Sequence, residues 1–252
     1  MRLWQVRKHW DALAKTDPFW AVLTSTEKQG NRWAIDEFFA TGAAEVDRDM
    51  DQVRARAGMF RTGAALDFGC GAGRLSQALG AHFSKVVGVD ISGHMVTLAR
   101  EHNRRVGVSF VQNTRSDLSL FPDGSFDFVY SRITLQHIAP QYTRGYLKEF
   151  LRVLSPGGLM SVQVPDRVPA GDPPDRLRFS VWPPTLLMRL RRYIRYHYPG
   201  WFPGTPKMQM YAFPKGDMLG FMADMNAEVL LVERTPHKDV ENYVYLVRKA
   251  AA

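Results

Sequence analysis

Apolar residues recur from Ala64 onward in short, nearly unbroken blocks separated by polar or glycine-bearing turns. The pattern predicts strands over 64–68, 85–89, 107–112, 126–131 and 159–164, with helices near 73–82, 93–105 and 141–154. Ser92 is placed to cap the second helix, and Pro156-Gly157-Gly158 reads as stopping the third and turning the chain into its next strand. Strands alternating with helices imply a parallel sheet covered on both faces. A helix near 215–224 and strands over 227–233 and 240–248 follow. Those last two are expected to pair as an antiparallel hairpin on the otherwise parallel sheet.

The flanking stretches carry a different pattern. Residues 1–62 read as a helical cap, with Trp10, Leu13 and Ala14, then Trp33, Phe38 and Phe39, spaced as helix faces and Asp17-Pro18 as a break. Asp47 to Met59 continues as a charged amphipathic helix ending at Arg61-Thr62-Gly63. Between the core blocks, residues 165–213 hold most of the chain's 15 prolines, together with Trp182, Tyr193, Tyr196, Tyr198 and Trp201. Proline at that density predicts a rigid, irregular insert, read as a lid. The expected division is a cap (1–62), an α/β core (63–164), the lid insert (165–213) and a helix with β-hairpin completing the sheet (214–252).

Composition narrows the classes. A chain of 252 residues that is 45% hydrophobic can bury a substantial core. No apolar run approaches the ~18 residues that span a bilayer, and the first residues lack a signal-like apolar stretch, so a soluble cytoplasmic protein is expected. The single cysteine excludes an internal disulfide and a cysteine-based zinc cluster. The net charge of +8 gathers partly at Arg189, Arg191, Arg192 and Arg195, beside an apolar stripe of Leu186, Leu187, Leu190 and Ile194. That spacing reads as a solvated helix face, with an anionic substrate or a membrane surface as alternatives.

The densest chemical signal is Leu66-Asp67-Phe68-Gly69-Cys70-Gly71-Ala72-Gly73-Arg74. A buried strand ends near a carboxylate, and glycines let the backbone turn tightly and approach a ligand before a helix begins. A second strand then ends at Asp90, about 20 residues on, where an acid can accept both hydroxyls of a ribose.

With Val87-Gly88-Val89-Asp90-Ile91-Ser92, Phe121-Pro122-Asp123-Gly124-Ser125-Phe126-Asp127-Phe128-Val129-Tyr130 and Leu151-Arg152-Val153-Leu154-Ser155-Pro156-Gly157-Gly158, that loop resembles the class I S-adenosylmethionine-dependent methyltransferases of the small-molecule type. The resemblance covers roughly Ala64 to Lys249. It implies a Rossmann-like, doubly wound, mostly parallel seven-stranded sheet with an antiparallel last strand, and S-adenosyl-L-methionine as cofactor. It assigns Asp90 to the ribose and the backbone of Gly69, Cys70, Gly71 and Gly73 to the cofactor's amino-acid part. Asp67 would orient the loop and the cofactor's ammonium. Arg74 has two readings, a carboxylate ligand or a first-turn surface residue. Asp117 is the candidate for the adenine amino group, with Asn113 as rival, because the family's commoner pattern places an acid earlier. Met95 covers an adenine or ribose face or packs in the core. Ile91, Leu118, Ser131 and Gln136 complete the expected cofactor set, and Cys70 is read as a small loop residue, not a nucleophile.

For the acceptor, His137 in Ser131-Arg132-Ile133-Thr134-Leu135-Gln136-His137-Ile138 lies just past the fourth strand, where ligands gather in open α/β sheets. A hydroxyl needs its proton removed before it attacks, which makes His137 the expected general base; the alternative is a histidine that only packs or braces the loop. The segment lacks the Asn/Asp-Pro-Pro-aromatic motif of enzymes that methylate amino groups of bases. The only cysteine sits in the glycine loop, so no nucleic-acid partner is expected. The reading is O-methylation of a small molecule, a sugar, glycoside or polyketide-like hydroxyl. Alternatives are N- or C-methylation of a small metabolite, an NAD-dependent oxidoreductase and a non-catalytic scaffold. His237, Asp239 and Glu241 are not spaced diagnostically, and no metal is expected. Oligomeric state is unassigned.

Overall fold

The alternation is realised strand by strand in a computed structural model that describes residues 1–168, 208–237 and 240–251. Three helices lead: α1 (Leu3–Thr16), α2 (Pro18–Val22) and α3 (Ile35–Ala57). The core follows as β1 (Ala64–Phe68), α4 (Arg74–Leu79), β2 (Lys85–Asp90), α5 (Gly93–Glu101), β3 (Val108–Gln112), β4 (Phe126–Ser131), α6 (Pro140–Val153) and β5 (Leu154–Arg167). Helix α7 (Lys215–Asp224) and strands β6 (Glu228–His237) and β7 (Val240–Arg248) complete it. One sheet runs β3-β2-β1-β4-β5-β7-β6, with β1 to β5 parallel and β7 antiparallel to both its neighbours.

Each face of the sheet carries its own core. Tyr146, Phe150 and Leu151 of α6, with Met218 and Phe221 of α7, pack one face beside Leu66, Val129 and Met160. Val46, Met50 and Val53 of α3 cover the other with Leu75, Leu79 and Val96. A smaller cluster of Leu13, Ala14, Ala21 and Met95 fastens the first two helices to α5. Pro18 begins α2 at the position where its missing N–H costs nothing, so Asp17-Pro18 breaks the helices as expected. Asp17 is buried there, and its Oδ2 accepts the N–H groups of Gly30 (2.6 Å) and Asn31 (3.1 Å).

Three local expectations are corrected. Trp33 lies outside the helices, ahead of α3, with its ring edge-on to Phe38 at 5.8 Å. Helix α6 ends at Val153, before Pro156-Gly157-Gly158. Leu154 already pairs with Phe126, while Leu159 pairs with Phe128, so the Pro-Gly-Gly run bulges out of a strand that began earlier. The same strand continues through Pro165 to Arg167, taking the first residues assigned to the insert. Residues 169–207, including Trp182, the arginine cluster, Tyr193, Tyr196, Tyr198 and Trp201, lie outside the described residues.

The packing of α3 on α4 is close. A Cβ on Gly42 would stand 2.6 Å from the Arg74 carbonyl oxygen and 2.7 Å from its Cγ, whereas one on the exposed Gly220 of α7 would meet nothing within 4 Å. Gly42→Ala should therefore destabilise the protein by about 1–3 kcal/mol. Gly220→Ala should stabilise it by about 0.5–1 kcal/mol through helix propensity. Thermal unfolding of the two variants beside the parent checks both signs.

Candidate active site

The site lies at the C-terminal edge of the parallel strands, where β1, β2 and β4 open into their loops. After Phe68 the chain turns at Gly69 (φ 81°) and Gly71 (φ 51°), and the N–H groups of Gly69 and Cys70 both reach the Val89 carbonyl of β2, at 2.7 and 3.0 Å. Neither glycine has room for a side chain. A Cβ on Gly69 would strike the Thr134 side chain, and one on Gly71 would stand 2.7 Å from Val22 Cγ2 of α2. Gly73 (φ 85°) begins α4 from the left-handed region.

Asp90 ends β2 and is braced twice. Its Oδ2 accepts the Gly71 N–H at 2.9 Å and its Oδ1 the Ser92 N–H at 2.8 Å. Burial pushes its carboxyl up to about 6, against the pull of those two bonds. Ser92 caps α5 by accepting the Met95 N–H (3.2 Å) and donates its own hydroxyl to Asp11 of α1 at 2.6 Å. The first helix is thereby anchored beside the Asp90 carboxylate.

Arg74 is 2% exposed, not a surface residue. Its guanidinium donates to Thr41 Oγ1 (3.3 Å) and pairs with Glu45 (2.8 Å) on α3, and its Nε has no hydrogen-bond partner among the described residues. It borders a cavity that also takes in Gly69, Cys70, Gly71, Asp90, Ile91, Met95, Asn113 and His137. Met95 serves two environments, lining this cavity and joining the small core between α1, α2 and α5. The Cys70 thiol borders the same space, and burial raises it well above its ordinary range, so it is held neutral.

The other expected residues stand behind the wall. Asp67 is buried beneath the loop, where its Oδ2 accepts the Ser76 hydroxyl at 2.5 Å. Burial pushes it up to about 7, opposed by Ser76 and by the Arg74 charge. Ser131 donates to the Phe68 carbonyl (2.9 Å), tying the end of β4 to the end of β1. Asp117 turns away towards Ser119, whose hydroxyl first and N–H (3.1 Å) second hold its carboxyl below the usual range. Leu118 is core. Asn113 borders the cavity, but its side chain builds the following turn by donating to the Asp117 carbonyl (2.7 Å) and accepting the Arg115 N–H (3.0 Å).

His137 sits in a 3-10 turn (Leu135–His137) on the cavity wall, edge-on to Trp10 with ring centroids 5.2 Å apart. Its Nδ1 is 3.0 Å from the Gln209 carbonyl, which can only accept, so Nδ1 carries the proton. Nε2 then accepts from the Gln136 amide at 3.1 Å. Burial pushes the ring down to about 4, so it is neutral at physiological pH.

Residues without an assigned role complete the enclosure. Arg132 is buried, with all five guanidinium hydrogens directed at Asp49 of α3, Ser161 of β5 and the Ser131 carbonyl, and it lies 4.3 Å over the Tyr130 ring. Ile133 follows with φ 56°, and Tyr146 presents its ring from α6. Leu3, Val6 and Trp10 roof the cavity from one face of α1, at the i, i+3, i+7 spacing that could have been read from the sequence.

This strand order, with a glycine loop after β1 and a braced carboxylate closing β2, is the fold of the class I S-adenosylmethionine-dependent methyltransferases. Residues 66–162 match the model of the methyltransferase domain family. It is 30% identical over 142 residues to the ubiquinone biosynthesis O-methyltransferase of Cereibacter sphaeroides, covering 56% of this chain and 55% of that protein. It is 42% identical over 102 residues to 24-methylenesterol C-methyltransferase 2 of Oryza sativa subsp. japonica, covering 37% of this chain and 26% of that protein. The chain thus spans about half or less of these curated relatives. Its fold is similar to the magnesium protoporphyrin IX methyltransferase of Synechocystis PCC 6803, solved with bound SAH, at TM-score 0.61 and 17% identity over 97% of this chain and 98% of that one. Among the described residues no helix is long and apolar enough to cross a membrane, and no three His, Cys, Asp or Glu side chains gather as a metal site.

Asp67 offers a test of this electrostatic arrangement. Its carboxyl is raised in the folded protein, so between the unfolded value near 3.8 and about 7 the folded state holds a proton that the unfolded state has lost. Stability from this group is therefore full at low pH and falls as pH rises towards 7. Asp67→Asn removes that loss. Its unfolding free energy relative to the parent, read from denaturant titrations, should climb between pH 4.5 and 7.5 by an amount on the order of 1–4 kcal/mol.

Proposed function

We propose that this protein transfers the methyl group of S-adenosylmethionine to a small molecule. The observation that carries the reading is the Arg74 guanidinium, buried and bordering the cavity beside the glycine loop with Nε unpartnered among the described residues. Such a group suits a carboxylate, which it can meet with a charge-assisted hydrogen bond. Asp90 supplies the acceptor oxygens that a ribose diol requires, and the Gly69–Gly71 backbone lets a ligand approach closely. Asp67 supports the loop from below, and Ile91, Met95 and Asn113 border the space assigned to the base. These residues fit the cofactor, whose sulfonium supplies an electrophilic methyl when bound. The chain's own part is to hold donor and acceptor in line and keep water out, with residues 1–62 acting as a cap and the 165–213 insert as a lid.

The finer reading is O-methylation of a sugar, glycoside or polyketide-like hydroxyl, with His137 as general base. Its support is a neutral ring on the cavity wall whose tautomer is fixed by the Gln209 carbonyl, so that Nε2 carries the lone pair. Rotation of the Gln136 amide would free Nε2 to take the proton. A second reading, N- or C-methylation, is favoured by one observation: Nε2 is already engaged, and burial makes the ring a weak base.

S-adenosylhomocysteine should raise the melting temperature and NADH should leave it unchanged, since only a ligand of the folded state stabilises it. Asp90→Ala should weaken S-adenosylhomocysteine binding about ten- to a hundredfold in calorimetry, the worth of hydrogen bonds to a charged group. Stabilisation by NADH alone would return the chain to the oxidoreductase reading. Once an acceptor is in hand, His137→Ala should lower kcat by about 10²–10⁴ if a hydroxyl is methylated. Near-normal turnover would select the N- or C-acceptor.

A further inference from the structure

We infer that the acceptor is an apolar molecule offering one nucleophilic atom on a hydrocarbon skeleton, which narrows the acceptors proposed above by excluding the sugar; this rests on the methyl-transfer reading. The donor-facing groups stand at the ends of β1 and β2. The facing wall comes from the segment after β4 and from α1, joined where Trp10 meets His137 edge-on. It is surfaced by Leu3, Val6, Trp10, Ile133, His137 and Ile138.

The polar side chains on this wall are already committed. Every guanidinium hydrogen of Arg132 points to Asp49, Ser161 or the Ser131 carbonyl. The Tyr146 hydroxyl donates to the Arg115 carbonyl at 2.6 Å, the Thr134 hydroxyl to the Arg132 carbonyl at 3.0 Å, and His137 Nδ1 to the Gln209 carbonyl. Among the described residues only the Trp10 indole N–H remains as a side-chain donor here. A sugar carries several hydroxyls, and each one buried without a partner costs binding free energy. A hydrocarbon skeleton asks for none of those bonds and gains from the same wall.

A second observation points the same way. Ile133 is β-branched yet holds φ 56°, a region where glycine or asparagine would be less strained. The conformation is imposed by its neighbours: the Ile133 N–H donates to Gln163 Oε1 at 3.1 Å, and Arg132 beside it is pinned to α3 and β5. What the strain yields is a branched aliphatic side chain on the cavity wall.

The test titrates 1-naphthol and methyl glucoside into the full-length protein, with and without saturating S-adenosylhomocysteine, following tryptophan fluorescence and calorimetry. The expected result is binding of 1-naphthol at least tenfold tighter than methyl glucoside. Ile133→Asn, which tolerates the left-handed backbone, should weaken 1-naphthol at least fivefold while S-adenosylhomocysteine affinity stays within twofold. Trp10→Gln should weaken it likewise. Equal or tighter binding of methyl glucoside overturns the inference, as does unchanged 1-naphthol affinity in both variants. Failure of S-adenosylhomocysteine to bind instead overturns the methyl-transfer reading, and the naphthol titration without it still reports on the wall.

Discussion

Two carboxylates one turn apart on α3, Glu45 and Asp49, hold the two arginines on which the site is built. Glu45 pairs with Arg74 at the start of α4, and Asp49 pairs with Arg132 just past β4. Both guanidinium groups are almost wholly buried, at 1% and 6% side-chain exposure, so each depends on its carboxylate partner to offset the lost hydration. Stripping one carboxylate from such a pair strands a buried charge, which typically costs about 3–5 kcal/mol. The i, i+4 spacing puts both acids on one helix face. A single rigid element therefore sets the glycine loop and the loop after β4 relative to one another, and Gly42 on the same helix lets it approach closely enough to do so.

The shared and the particular are divided along the chain. The family match begins at residue 66, and the groups proposed to hold the donor all lie within it. The roof residues Leu3, Val6, Trp10 and Val22 lie before it, and Gln209, which fixes the His137 tautomer, lies after it. Relatives named for O- and C-methylation both match only part of this chain. On the proposed reading, the groups that would hold the donor lie within the matched span and the residues roofing the cavity lie outside it.

Most of the fold was legible because strands buried on both faces appear as unbroken apolar blocks separated by polar or glycine-bearing turns. Pro156-Gly157-Gly158 misled because its bulge depends on Leu154 finding Phe126 across the sheet, which no local pattern announces. In the site, the residues whose roles follow from local backbone geometry landed on the cavity: Gly69, Gly71, Asp90 and His137. Those whose direction depends on packing did not, as Ser131 facing Phe68 and Asp117 facing Ser119 illustrate. Arg74 resisted reading for the same reason, since only the approach of α3 buries it. Arg132 and Tyr146 reach the cavity through partners far away in the chain, on α3, β5 and the turn after β3.

The position of β7 between β5 and β6 bears on how the molecule reaches its native state. Ser161 and Gln163, which hold Arg132 and Ile133, lie on β5, and their cross-strand partners are Leu246 and Val244 of β7. The donor half needs only neighbouring β-α-β units, whose contacts span short lengths of chain. The acceptor half rests on a pairing that joins distant segments, and such long-range closures are what slow a fold's assembly. Topology thus separates the two halves by sequence range: the glycine loop is framed with β2, its neighbour in the chain, while the backing of the opposite wall depends on β5 meeting β7 from the far end of the chain.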